Sequence, residues 1–185
     1  ALTRRAKVRL VPTAPRTALG VLSYDSVAQA CDAAPELLAL QPSSVELIPQ
    51  AMVRLARSVP AYAERLWFVK GDPAAILLVE FSGADEAELE KKLAQLGPGA
   101  VLARSQREQD EIWSVRKVGL GLLMSRVGDS KPLPFIEDVA VPVERLGAFV
   151  RGLERIFADK GTQGDFYAHA SAGCLHVRPL INLKS

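Results

Sequence analysis

The sequence predicts an α+β protein: a ferredoxin-like antiparallel sheet with helices on one face, built as a duplicated β-α-β arrangement. Three observations carry this. Segments of strand and helix character alternate along the whole chain. The connections between them are short, which suits split β-α-β units and hairpins. The elements also come in two similar halves.

Thr17 to Tyr24 has the composition of a buried strand. Asp25 is placed to cap a helix from Ser26 to Leu38, with Val27, Ala30, Cys31, Ala34 and Leu38 on its apolar face. Ser44 to Ile48 is a short strand stopped by Pro49, and Gln50 to Arg57 is helical. Ala74 to Phe81 is the clearest strand, a continuous apolar run between Pro73 and Gly83. Ala84 to Leu96 is a helix with acids early and Lys91 and Lys92 late, as the helix dipole favours. Gly97, Pro98 and Gly99 end it.

Ala100 to Ala103 is a short strand. A long helix follows from Gln106 to Met124, carrying Ile112, Trp113, Val115, Leu120 and Leu123. Val127 to Leu133 is a loop and Pro134 to Val141 a strand. Val143 to Asp159 is an amphipathic helix whose stripe is Leu146, Phe149, Val150, Leu153, Ile156 and Phe157. Gly161 is its C-terminal cap. The last element, Phe166 to Pro179, has two strand-like segments around a small-residue turn, Ala170 to Gly173.

A chain of 185 residues buries roughly 70% of its unfolded surface and needs no metal or disulfide to fold. The net charge is +2 and Lys and Arg are spread evenly, which argues against nucleic acid or an acidic membrane as partner. No stretch of the given sequence reads as a signal peptide, and no apolar run in it is long enough to span a bilayer. Cys31 and Cys174 lie far apart and read as reduced thiols of a cytoplasmic protein, at most peripheral to a membrane. No Gly-rich phosphate loop is present, so nothing here cradles a nucleotide. The first residue is Ala and the chain stops after Lys184 and Ser185, which leads to the expectation of a fragment of a larger protein.

The only two histidines, His169 and His176, both fall in the final hairpin. Imidazole is the commonest metal ligand and titrates near working pH. On a straight strand a spacing of seven puts them on opposite faces, but a turn at Ser171, Ala172 and Gly173 lets both point to one spot. The plainer reading is that each satisfies backbone groups. Arg116 on the long helix can grip a carboxylate two-pronged, or simply be a solvated charge. Glu137 and Asp138 are strand neighbours and should face opposite ways, so they are not a paired acid/base site. Arg178 shares the face of His176 and adds positive charge there. Cys174 reads first as a small packed residue, although two His and one Cys also suit zinc.

Trp113-x-x-Arg116, then Pro134 to Pro142 with its helix, then His169-x6-His176, resemble the C-terminal substrate domain of the FAD-linked oxidases. That family includes D-lactate dehydrogenases, the glycolate oxidase flavin subunit and D-2-hydroxyglutarate dehydrogenases. Leu10-Val11-Pro12 and Val45-Glu46-Leu47 look like that domain's first β-α-β unit. The wording from Tyr167 to Pro179 is most similar to large bacterial members that fuse the flavin part to an iron–sulfur part.

The resemblance implies that residues 1–185 are a substrate (cap) domain, with the FAD-binding domain and downstream segments absent. It implies a D-2-hydroxy acid substrate, 2-hydroxyglutarate- or lactate-like, oxidised to the 2-oxo acid by hydride transfer to FAD. His169 and His176 then hold a divalent metal such as zinc or manganese and are catalytic, while Arg116 grips the substrate carboxylate. A further metal-binding glutamate is expected beyond Ser185, and the fragment alone should be inactive. Electrons would pass to iron–sulfur clusters of the parent chain or to another acceptor. There are departures. The family's lysine before the strand aspartate is Ile136 here, and a threonine one turn after the arginine is Leu120. The usual Gly-Asp-Gly-Asn between the histidines is Ser171 to Cys174, and an asparagine beyond the second histidine is Arg178. Arg178 is therefore the candidate for a second substrate carboxylate. The alternative function is a ferredoxin-like module that binds a small regulatory molecule, with neither metal nor flavin.

Overall fold

The structure is a computed structural model and describes residues 3–10, 12–125 and 127–184. In chain order the first half comprises β1 (Arg16–Tyr24), α1 (Val27–Ala39), β2 (Ser44–Pro49), α2 (Gln50–Arg57), α3 (Pro60–Ala63), β3 (Ala75–Gly83), α4 (Glu86–Ala94), β4 (Val101–Ala103) and α5 (Gln106–Met124). The second comprises β5 (Ser130–Pro132), β6 (Ile136–Ala140), α6 (Leu146–Asp159), β7 (Gly164–His169) and β8 (Cys174–Asn182).

All eight strands join one antiparallel sheet in the order β4-β1-β3-β2-β7-β8-β5, with β6 also on β8. The duplication is visible in the pairing. In β1-α1-β2-β3, strand β3 lies between β1 and β2. In β6-α6-β7-β8, strand β8 lies between β6 and β7. The halves meet edge to edge where β2 pairs β7, with Glu46 opposite His169 and Leu47 opposite Ala168.

The helices pack on both faces of this sheet, which corrects the expectation of one face. Val45, Leu47, Leu77, Val79 and Phe81 point into a core with residues of α1, α4 and α6. Leu19, Val21, Ile48, Ile76 and Leu78 point into a second core with residues of α2 and α5. The unbroken apolar run of β3 is the physical reason: a strand covered on both faces has no polar side to alternate with.

Four smaller differences have local causes. Ser26, not Asp25, caps α1, its side chain accepting from the Gln29 amide. The segment read as a loop before Leu133 contains β5, held by β8. A 3-10 turn at Val143–Arg145 precedes α6, and Ile156 at the edge of its stripe is 53% exposed. Leu10 and Pro12 are not in a strand, and Val11 lies outside the described residues, as does Ser185. The Leu120 side chain also lies outside them. The long helix has the bounds its sequence suggests, because Ser105 and Glu108 form a reciprocal capping box at its start. It crosses α2 closely at Gly119, where any Cβ would run into the Met52 thioether.

Candidate functional site

The chemistry gathers on the α5 face of the sheet, around the seam between the halves. His169 ends β7 and His176 is the third residue of β8, with a 3-10 turn at Ala170–Ala172 between them. Gly173 closes this turn at φ 65°, where a Cβ would meet the Val141 carbonyl. The turn cancels the odd spacing. The two imidazoles lie edge to face, 5.4 Å apart and inclined at 81°.

Each histidine is held through Nδ1. His169 Nδ1 lies 2.8 Å from both Glu46 carboxylate oxygens. Glu46 sits across the β2–β7 seam and also accepts a bond from Arg116 Nη2 at 2.9 Å. His176 Nδ1 lies 2.8 Å from Glu137 Oε2 and 3.4 Å from Asp138 Oδ1. Arg178 pairs with Glu137 and donates to the Tyr167 hydroxyl at 2.8 Å. Tyr167 is the hub: it stacks on His176 at 4.5 Å, and both guanidinium groups lie 5.4 Å from its ring centre.

Two expectations change here. Glu137 and Asp138 do not point apart. The register of β6 against β8 shifts between Ile136 and Val139, and Asp138 adopts φ 51°. That bulge re-aims both acids at His176. Arg178, the candidate for a second substrate carboxylate, is not an open charge: its side chain is only 3% exposed and is paired with Glu137. It anchors the site from beneath. Arg116 is likewise paired rather than solvated, yet a guanidinium has five N–H donors and Glu46 takes one. Trp113 of the same motif donates to Glu80 on β3 at 3.1 Å and fixes the helix to the sheet. Ile136 pairs with Val177 and offers no charge to a substrate.

Burial, and then His169, push His176 below the ordinary imidazole range, while Asp138 and Glu46 pull it back. Burial raises the Tyr167 hydroxyl, which keeps it a neutral donor or acceptor. Burial and the nearby Asp138 and Glu46 carboxylates raise the Cys174 thiol, which stays protonated unless a cation binds it.

Imidazole nitrogens beside carboxylates and a thiol are donor types that suit a divalent cation. An ionised carboxylate only accepts, so each neutral ring must carry its proton on Nδ1 and present a bare Nε2. Among the described residues, the ligand atoms that lie within 4.8 Å of one another come from Asp138, Cys174 and His176, and His169 is not in that group. Cys174 thus borders the site as well as packing into the turn. A concavity of about 400 Å³ lies elsewhere, lined by residues such as Pro49, Gln50, Arg54, Leu123, Glu154 and Phe166. It holds neither histidine, so the open sheet face is favoured on chemistry over that hollow. Sequence reasoning missed Glu46. Its one signal was an acid between Val45 and Leu47 on a strand where every other side chain is apolar or small.

Residues 13–185 match the family model described as FAD linked oxidases, C-terminal domain. The D-2-hydroxyglutarate dehydrogenase of Pseudomonas putida is 28% identical over 194 residues, covering 97% of this chain and 19% of that protein. The enzyme of the same name from Escherichia coli K12 is 28% identical over 200 residues, with 98% and 19% covered. The D-lactate dehydrogenase of Archaeoglobus fulgidus is 25% identical over 185 residues, with 98% and 39% covered. The chain therefore spans about a fifth of the length of the first two relatives. Among solved structures, p-cresol methylhydroxylase with substrate bound superposes with TM-score 0.58 at 11% identity, covering 95% of this chain and 41% of that one. Alkyldihydroxyacetonephosphate synthase gives 0.53 at 10% identity, with 93% and 38% covered. At such identities the likeness is one of fold. Among the described residues no helix is long and apolar enough to cross a membrane.

Proposed function

This chain belongs to the C-terminal domain family of the FAD-linked oxidases, and we propose that it is the substrate domain of a flavin-dependent D-2-hydroxy acid dehydrogenase. The reaction removes hydride from the α-carbon to FAD and releases the hydroxyl proton, leaving a 2-oxo acid. FAD is assigned to a separate domain of the same parent protein, and a hydride acceptor is the chemistry it supplies. An iron–sulfur electron acceptor rests on the sequence resemblance alone.

One observation supports this reading most: two imidazoles 5.4 Å apart, each anchored through Nδ1 to a carboxylate. His169 and His176 would hold a divalent metal, zinc or manganese, through Nε2. Such an ion would supply Lewis acidity toward the substrate hydroxyl. Arg116 supplies the remaining charge and orients the substrate carboxylate with donors that Glu46 leaves over. Counted with neutral imidazoles, Arg116 and Arg178 face Glu46, Glu137 and Asp138, an excess of one negative charge. A divalent cation turns that excess into +1, the complement of one carboxylate.

The test uses the parent flavoprotein. D-lactate and D-2-hydroxyglutarate are added without oxygen, and loss of the oxidised flavin band is followed. The expected result is bleaching by a D-2-hydroxy acid and not by its L form. His169→Ala and His176→Ala should stop bleaching with FAD still bound, and Arg116→Ala should chiefly raise KM. Full turnover in either histidine variant, with metal retained, would overturn the reading.

A further inference from the structure

Around Tyr167 the side chains form two parallel series, Arg116–Glu46–His169 and Arg178–Glu137–His176. In each, an arginine holds a carboxylate and the carboxylate holds Nδ1 of a histidine. The two come from different halves of the sheet: Glu46 from β2, Glu137 from the bulged β6. Glu46 is 9% exposed and Arg178 3%, so neither series is a loose surface arrangement. Each carboxylate has spent its charge on an arginine, so it can orient the ring without being drawn to a cation itself.

We propose that Glu46 and Glu137 are positioning residues, each locking one histidine in its Nδ1–H tautomer and leaving its Nε2 bare. The tautomer follows from the carboxylates alone. What the bare Nε2 binds rests on the metal reading above.

The chain has only two histidines, so imidazole ¹⁵N NMR sees these two rings and no others. At pH about 8, where free imidazole is neutral, both rings of the unaltered chain should be the Nδ1–H tautomer. Glu46→Gln offers an amide that donates as well as accepts, so His169 should become a tautomer mixture while His176 keeps its form. Glu137→Gln should do the reverse. A merely structural role would move both rings or neither. Zinc titrated into the chain should bind each variant roughly 10–100-fold more weakly than the unaltered chain, the usual loss when a group orienting a ligand is removed. Mixed tautomers in the unaltered chain, or a Gln variant that leaves its own histidine unchanged, would overturn the proposal. Two Nδ1–H rings in a chain that binds no zinc would support it and count against the metal reading instead. Glu46→Gln leaves Arg116 without its partner; if it fails to fold, the unaltered spectrum and Glu137→Gln still decide.

Discussion

Replacing Gly173 by alanine should destabilise the chain by about 2–4 kcal/mol, and the terms can be separated. Gly173 sits at φ 65°, and holding a residue with a side chain in that region costs on the order of 1–2 kcal/mol. The new Cβ would also collide with the Val141 carbonyl oxygen and approach Val143 Cγ2 to 3.7 Å. A backbone carbonyl cannot rotate away as a side chain can. The Val141 N–H bond to the Gly173 carbonyl, now 2.8 Å, must stretch, at about 1 kcal/mol. For a chain of this size 1 kcal/mol is about 2–4 °C in Tm, so a fall of roughly 6–12 °C is expected near the middle of the range. Urea unfolding should show a lower midpoint at unchanged slope. Gly173→Asn isolates the collision, because asparagine tolerates the dihedral but still has a Cβ. A loss under about 0.5 kcal/mol for alanine, or full stability with asparagine, would refute the account of this turn.

Two further outcomes are expected. Gly119→Ala should cost about 1–3 kcal/mol through overpacking where α5 crosses α2, and adding Met52→Ala should recover part of it. A double-mutant cycle with no coupling would show that the helices part without strain. Cys31 is fully buried and its thiol is pushed up to about 12, by burial first and then by Asp32 and Glu154. A thiol reagent should therefore count one reactive cysteine, Cys174, in the native chain and two in denaturant; two in the native chain would contradict this burial.

Much of the fold was legible in the residues themselves. The α+β class, the bounds of α2 and α5, and the turn that brings His169 beside His176 follow from local signals: apolar periodicity, a capping box, and small residues around a glycine. The motif spacing also pointed to the family that the comparisons show. The β3 run held the information that helices cover both faces, but an apolar run does not say which helices. The partners of the histidines were not legible. Glu46 meets His169 across 123 residues of chain, at a seam formed only when two edge strands pair. Glu137 and Asp138 share a side only because one residue bulges, and alternation along a strand predicts the opposite. Arg178 looked available because parity tells which face a side chain takes and nothing of what lies over it. Local sequence determines direction and period, whereas the identity of a neighbour is set by strand pairing and burial, which depend on the whole chain at once.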